Sequence, residues 1–457
     1  MTMRFLNTVV LFFLSLGLYA QEYTVSLAIN GFGGQTTYLT KVEGDLSILI
    51  DTLTSDSYGL FKVNFSDEDE TGFYKFIFPQ LNSAEVPFIF NKENVALSTE
   101  VVNPSGYIQV MSSKENDLYY QFLQKNAILK NQADLLEMIY ENYIGDEFRS
   151  EAEAEYTRII QKYYADISDF QKRGKGTYAW KVIKSSATQL PPMLVAQSEK
   201  NLFLKSHYFD NVDFTDTTLI NSSVFNNAAI QYLSIYTSQI QQANKNNIFM
   251  AAVDTILEKT SVNETINDFM VDYLLGGFES MGATEIVSYI SQKYITEHTC
   301  GSDNNLTTLQ RKAYSNQELA VGKNAPLEQL NIMNYKKEIN YENENVAIVF
   351  WATWCSHCRE TIPNIADHYA SIIKPKYKLV TISLDSTTND WERFIALHPS
   401  LEKCKNFIDT DGWDGKIAET YYVYATPTIF MLQKGKIVAK PIDFDEFLEA
   451  LKRQKWE

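Results

Sequence analysis

Cysteine is scarce in this chain, with four in 457 residues. Cys355 and Cys358 lie three apart, while Cys300 and Cys404 stand alone. So few cannot staple a chain this long, and the fold must rest on hydrophobic cores. Clustered Lys and Arg are absent as well. The net charge is −17, and without basic runs to grip phosphate, nucleic acid is excluded as a partner. Anionic membrane surfaces are disfavoured for the same reason. Beyond the first twenty residues no apolar run approaches the roughly 20 residues that a spanning helix needs, so no stable membrane insertion is expected.

What is present is globular material. Hydrophobic residues make up 45%, charged residues 21% and aromatics 13%, a balance that buries cores rather than staying disordered. At about 150 residues per domain, three domains are expected. The N-terminus carries Arg4, then an apolar stretch from Val9 to Leu18, then Leu18-Tyr19-Ala20 before Gln21. This reads as a cleaved signal peptide over 1–20. The stretch is short for a membrane anchor, and Gln21 offers no thiol for a lipid. A periplasmic or cell-envelope location is expected.

Three regions follow. Over 21–110 the pattern alternates: Tyr23, Val25, Leu27 and Ile29 share a face, as do Leu46, Ile48 and Ile50, then Phe61, Val63 and Phe65, then Tyr74, Phe76 and Phe78. Turn-prone pieces divide these runs, which predicts an antiparallel β-sandwich. Over 111–305 the period becomes helical, with Leu118, Phe122, Leu129, Leu136 and Ile139/Tyr140 at near-helical spacing. Pro191-Pro192 interrupts this all-α middle domain. Residues 306–319 are polar and aperiodic, and read as a linker. Over 320–457 strands and helices alternate as in an α/β fold. Val346 to Trp351 suits a central strand buried on both faces, Tyr377 to Leu384 a second. Thr428 to Leu432 and Lys436 to Ala439 form a hairpin around Lys434-Gly435.

The chemistry concentrates in Trp354-Cys355-Ser356-His357-Cys358. A thiol with a pKa near 8.5 is largely protonated at neutral pH. A helix N-terminus supplies unpaired N–H groups and the positive end of the dipole. A strand running into Cys355 with helical spacing behind it puts that sulfur where it ionises. Cys358, one turn on, can then attack a mixed disulfide, and His357 adds a cationic or hydrogen-bonding neighbour. The same spacing also serves half a zinc site or a structural disulfide. The scatter of His298, Cys300 and Cys404 lacks the second close pair that zinc prefers, so no metal is expected.

Pro363 follows in the first helix, and Ala425-Thr426-Pro427-Thr428 precedes the hairpin. Together with Val321-Gly322-Lys323-Asn324-Ala325-Pro326, these motifs resemble the thioredoxin family, in particular the TlpA- and ResA-like thiol–disulfide oxidoreductases of bacterial envelopes. The resemblance covers about 320–457. It implies a thioredoxin-like fold in which Cys355 and Cys358 are catalytic. Trp354, Ser356 and His357 support the site, Pro427 is a cis-proline, and Thr426 presents its backbone to substrate. It implies no cofactor beyond the redox-active disulfide, disulfide-bearing protein substrates, a membrane thiol transporter as electron donor, and compatibility with cytochrome c maturation.

The chain departs from that pattern twice. Val349 stands where thioredoxins hold a buried aspartate, and Thr361 where the ResA-like branch holds a glutamate. Glu360, one residue earlier and about 100° around the helix, is the candidate for proton transfer, beside a plain solvated role. Further upstream, Ile50-Asp51-Thr52-Leu53 with Tyr58-Gly59-Leu60-Phe61, and His207 to Phe214, resemble signatures of a β domain and a helical domain of unknown function. Such domains precede TlpA-like domains in some Gram-negative envelope proteins. Cys404 is expected as a buried thiol or a partner of Cys300, and Asp385 as a turn or cap residue near the site. The family branch favours reduction of substrates, and His357 a weaker reductant. The rival expectation is an envelope binding protein whose C-terminal part only docks.

Overall fold

The computed structural model describes residues 21–143, 145–237, 245–296, 308–333 and 338–456. The expected signal peptide, Cys300 and His298 lie outside them. The chain divides into two compact units, Met1–Met270 and Val271–Glu457.

The first unit opens with eight strands: β1 Glu22–Ile29, β2 Thr36–Glu43, β3 Leu46–Thr54, β4 Leu60–Ser66, β5 Gly72–Phe78, β6 Ala84–Phe90, β7 Val95–Thr99 and β8 Gln109–Ser112. They form two four-stranded sheets, ordered β4-β1-β7-β8 and β3-β2-β5-β6. The expected sandwich is there, with one parallel pair, β1 beside β7. Its core is aromatic. Phe61, Phe65, Tyr74, Phe76, Phe78, Phe88 and Phe90 are buried together, and Tyr74 and Phe76 both stack on Phe88.

One expectation fails in this sheet. Leu46, Ile48 and Ile50 alternate as a buried face would, yet they are 62%, 44% and 49% exposed. β3 is an edge strand. Alternation assigns residues to two faces but does not say that anything covers either.

Helices then take over: α1 Lys114–Asn142, α2 Asp146–Arg173, α3 Tyr178–Ser186, α4 Gln197–His207, α5 Val224–Thr237 and α6 Lys245–Thr260, and then α7 Glu264–Ser280, whose sequence crosses the division after Met270. The interruption expected at Pro191-Pro192 falls between α3 and α4. The start of α1 closes the open edge of β6. Fully buried Asn116 accepts the Ile89 N–H at 2.8 Å and donates to the Ile89 carbonyl at 2.8 Å. One side chain thus completes the ladder where a ninth strand would otherwise pair. Beside it, buried Glu115 accepts the N–H groups of Tyr178 and Ala179 at the start of α3.

The second unit contains α8 Thr284–Ile290, α9 Thr308–Glu318 and α10 Leu327–Met333, followed by an α/β layer. The expected linker over 306–319 is therefore largely the helix α9. Of its residues only Ala313 and Ser315 are buried, which is why its apolar period is faint. In the layer, β9 Asn345–Trp351, α11 Ser356–Ser371, β10 Lys378–Ser383, α12 Thr388–Leu397, β11 Lys405–Ile408, α13 Lys416–Thr420, β12 Thr428–Gln433, β13 Lys436–Ala439 and α14 Phe444–Gln454 follow in order. The five-stranded sheet runs β11-β10-β9-β12-β13. β9, β10 and β11 are parallel, while β12 and β13 are antiparallel to their neighbours.

β9 is the central strand that the apolar run predicts. Ala347, Val349 and Trp351 enter the core under α11 and α14, and Val346, Ile348 and Phe350 enter the core on the other face. The β12–β13 hairpin turns at Lys434 (φ 50°) and Gly435 (φ 76°), a pair of positive φ angles that a tight hairpin requires. The 321–326 motif lies along this hairpin, with Gly322 N–H on the Ile437 carbonyl at 2.7 Å and Ala325 N–H on the Gly435 carbonyl at 2.8 Å.

The β6 closure makes a prediction. Asn116→Ala leaves two buried backbone groups of Ile89 unpaired, at about 1–3 kcal/mol each. The variant should lose about 2–4 kcal/mol of stability in urea denaturation followed by circular dichroism; an unchanged midpoint contradicts the assignment.

Candidate active site

β9 delivers the chain from a fully buried Trp351 into a short loop, Ala352-Thr353-Trp354, and α11 starts immediately after it. Cys355 is the residue that caps α11. Its sulfur accepts the Cys358 N–H at 3.2 Å, taking the place of the Ser or Asp oxygen that ordinarily fills that position. Its thiol also faces the Thr426 carbonyl at 3.3 Å, and the Thr426–Pro427 peptide bond is cis. The structure thus brings together the C-x-x-C motif and the Thr-Pro motif, 71 residues apart in sequence.

The two sulfurs differ in surroundings. Cys355 keeps 9% of its surface exposed, and Cys358 none. Burial by itself pushes the Cys355 thiol up. Hydrogen bonds from the Cys358 and Thr426 side chains and from the Cys358 and His357 backbone outweigh it, so the thiol is held below its ordinary range. For Cys358 burial dominates, and the hydrogen bond and charge of Cys355 add to it, pushing the thiol up to about 12. Val349, where a thioredoxin would carry an acid, lies in the same apolar cluster as Cys358. The pair is therefore built as one ionisable, partly accessible thiol and one buried, protonated thiol. Both are free, as is Cys404.

Ser356 and His357 are exposed in the first turn of α11, and Pro363 lies within that helix. Glu360 is exposed on α11 while Cys358 is fully buried, so the structure does not bring the two together. Cys404 is a buried thiol pushed up to about 12 by desolvation. Among the described residues no His, Cys, Asp and Glu cluster is able to hold a metal.

Two residues were less legible. Trp354 is 55% exposed, and its ring lies 6.0 Å from that of Trp413. Together they form an aromatic surface beside the thiols. Trp413 comes from a turn after β11, and only the Asp-Gly signal at 411–412 hints at that turn. Asp385 is buried at the end of β10, where its carboxylate accepts from Thr353 and Ser383.

Comparison with known proteins agrees with this fold. Residues 343–438 match a family described as thioredoxin-like, and residues 150–281 match a domain of unknown function, DUF5106. A thioredoxin-like protein of Haemophilus influenzae is 31% identical over 100 residues, 21% of this chain and 53% of its own length. The chain thus spans about half of that relative. A thiol-disulfide oxidoreductase ResA of Bacillus thuringiensis is 31% identical over 150 residues, 30% of this chain and 78% of that protein. Among solved structures, a thioredoxin-like protein of Bacteroides caccae aligns at TM-score 0.36 and 18% identity, covering 58% of this chain and 98% of that one. Through its C-terminal part, this chain belongs to the ResA-like, thioredoxin-fold family of thiol–disulfide oxidoreductases.

Proposed function

We propose that the protein reduces protein disulfides outside the cytoplasm through the Cys355/Cys358 dithiol. The observation that carries this reading is the Cys358 N–H on the Cys355 sulfur at 3.2 Å, with the first thiol held low and the second pushed up to about 12. A nucleophile must be ionised at working pH, and a resolving thiol must wait until its turn.

The Cys355 thiolate attacks one sulfur of a substrate disulfide. A mixed disulfide forms, and the other substrate sulfur leaves as a thiolate and takes a proton. Cys358 then loses its proton and attacks the Cys355 sulfur. The Cys355–Cys358 disulfide forms and the second substrate thiol departs. The substrate gains two electrons, and the enzyme gives two. A membrane thiol transporter, the donor that the family resemblance implies, returns them. The stretch over 1–20 that reads as a signal peptide, and the resemblance to envelope oxidoreductases, support the envelope location. Trp354, Trp413, Thr426 and Pro427 form the surface that receives the substrate chain. Solvent or a substrate group takes the Cys358 proton, since Glu360 stands exposed on α11.

Two measurements test this. Wild-type protein should reduce insulin disulfides, and Cys355→Ser should abolish the activity. Cys358→Ser should instead accumulate a mixed disulfide, seen as a mass adduct. No turnover by the wild type would favour the docking reading. The second measurement is the pH dependence of alkylation, mapped by peptide mass. Thiolate grows with pH, so Cys355 labelling should rise to a plateau with a midpoint below the usual 8.5 or so. Cys358 should stay unlabelled until near 12. A common midpoint for both contradicts the assigned roles.

A further inference from the structure

β10 runs parallel to β9 with Ser383 opposite Trp351, and Leu384 N–H donates to the Trp351 carbonyl at 2.8 Å. This register sets Asp385, 3% exposed, beside the loop that leads to Cys355. Both oxygens of its carboxylate accept the Thr353 N–H at 3.1 Å. The Thr353 hydroxyl donates at 2.6 Å and the Ser383 hydroxyl at 2.5 Å. A buried carboxylate is costly unless donors surround it, and here three donor groups converge on it.

We propose that Asp385 is a positioning residue that sets the reactivity of Cys355 through a single peptide group. This rests on the dithiol reading above. The Thr353 N–H and the Ala352 carbonyl belong to one planar unit. Holding the N–H toward Asp385 turns the carbonyl the other way, where it accepts the Cys355 N–H at 3.3 Å. That bond places Cys355 where its sulfur meets the Cys358 N–H at 3.2 Å. The carboxylate touches neither sulfur's hydrogen-bond partners directly, so its effect is one of geometry. Its negative charge works in the opposite direction, because an anion near a thiolate disfavours it.

The test uses the full chain with Asp385→Ala, Asp385→Asn and Thr353→Ala. Iodoacetamide labelling of Cys355 at neutral pH and redox equilibrium with glutathione are measured on the folded fraction. Asp385→Ala should slow labelling about tenfold, because less thiolate is present. It should shift the dithiol–disulfide equilibrium about tenfold toward the disulfide, or about 30 mV. Asp385→Asn keeps an oxygen for the Thr353 N–H and should recover most of both. Thr353→Ala removes one of the bonds, and a two- to threefold slowing, an order-of-magnitude expectation, supports the proposal if Asp385→Ala does not fold. A merely structural anchor would lower the melting temperature while leaving rate and equilibrium at wild-type values, and that result overturns the proposal. Faster labelling in Asp385→Ala marks charge repulsion instead and also overturns it. Wild-type Cys355 no more reactive than the buried Cys404 overturns the dithiol reading itself.

Discussion

A single contact, a backbone N–H resting on a sulfur at the start of a helix, is the constraint on which the site depends. A helix needs acceptors for its first N–H groups. In α11 the acceptor is the Cys355 sulfur, and the requirement is served best when that sulfur is negative. The stability of a secondary-structure element and the ionisation of the Cys355 thiol are thus one interaction seen from two sides. The rest of the second unit serves it. A sheet buried on both faces fixes where β9 ends, and β10 brings an anchor for the loop. The Thr426–Pro427 segment, in the bend before β12, meets the sulfur from far away in sequence.

Much of this was legible in the sequence, because the signals were local. The apolar run of β9, the positive-φ pair of the last hairpin, the spacing of two cysteines and the strand alternation of 21–110 each follow from one stretch of chain. What escaped needed a partner. The alternation of Leu46, Ile48 and Ile50 is a property of the strand, whereas covering them is a property of a packing partner, which β3 lacks on that side among the described residues. α9 buries two small side chains, and a helix that buries so little writes almost no hydrophobic period. Asp385 looks like any turn aspartate until β10 is laid beside β9. Trp413 joins the site only through the turn after β11, which sets its ring 6.0 Å from that of Trp354.

The first unit applies the same economy of means to a different problem. An open sheet edge invites unwanted pairing. At β6 the chain answers with one asparagine of α1, whose amide copies the donor and acceptor of a strand. At β3 no described residue gives such an answer, and Leu46, Ile48, Leu49 and Ile50 of this edge strand stay in contact with solvent.

The valine beneath the second thiol bears on timing. With Val349 in the apolar floor and burial pushing the Cys358 thiol up to about 12, the proposed resolving sulfur gives up its proton reluctantly, to solvent or to the substrate. Under the proposed chemistry capture is quick and release is slow. The protein would then spend much of each cycle tethered to its client, and the lifetime of that tether would decide how many clients a limited supply of protein can serve.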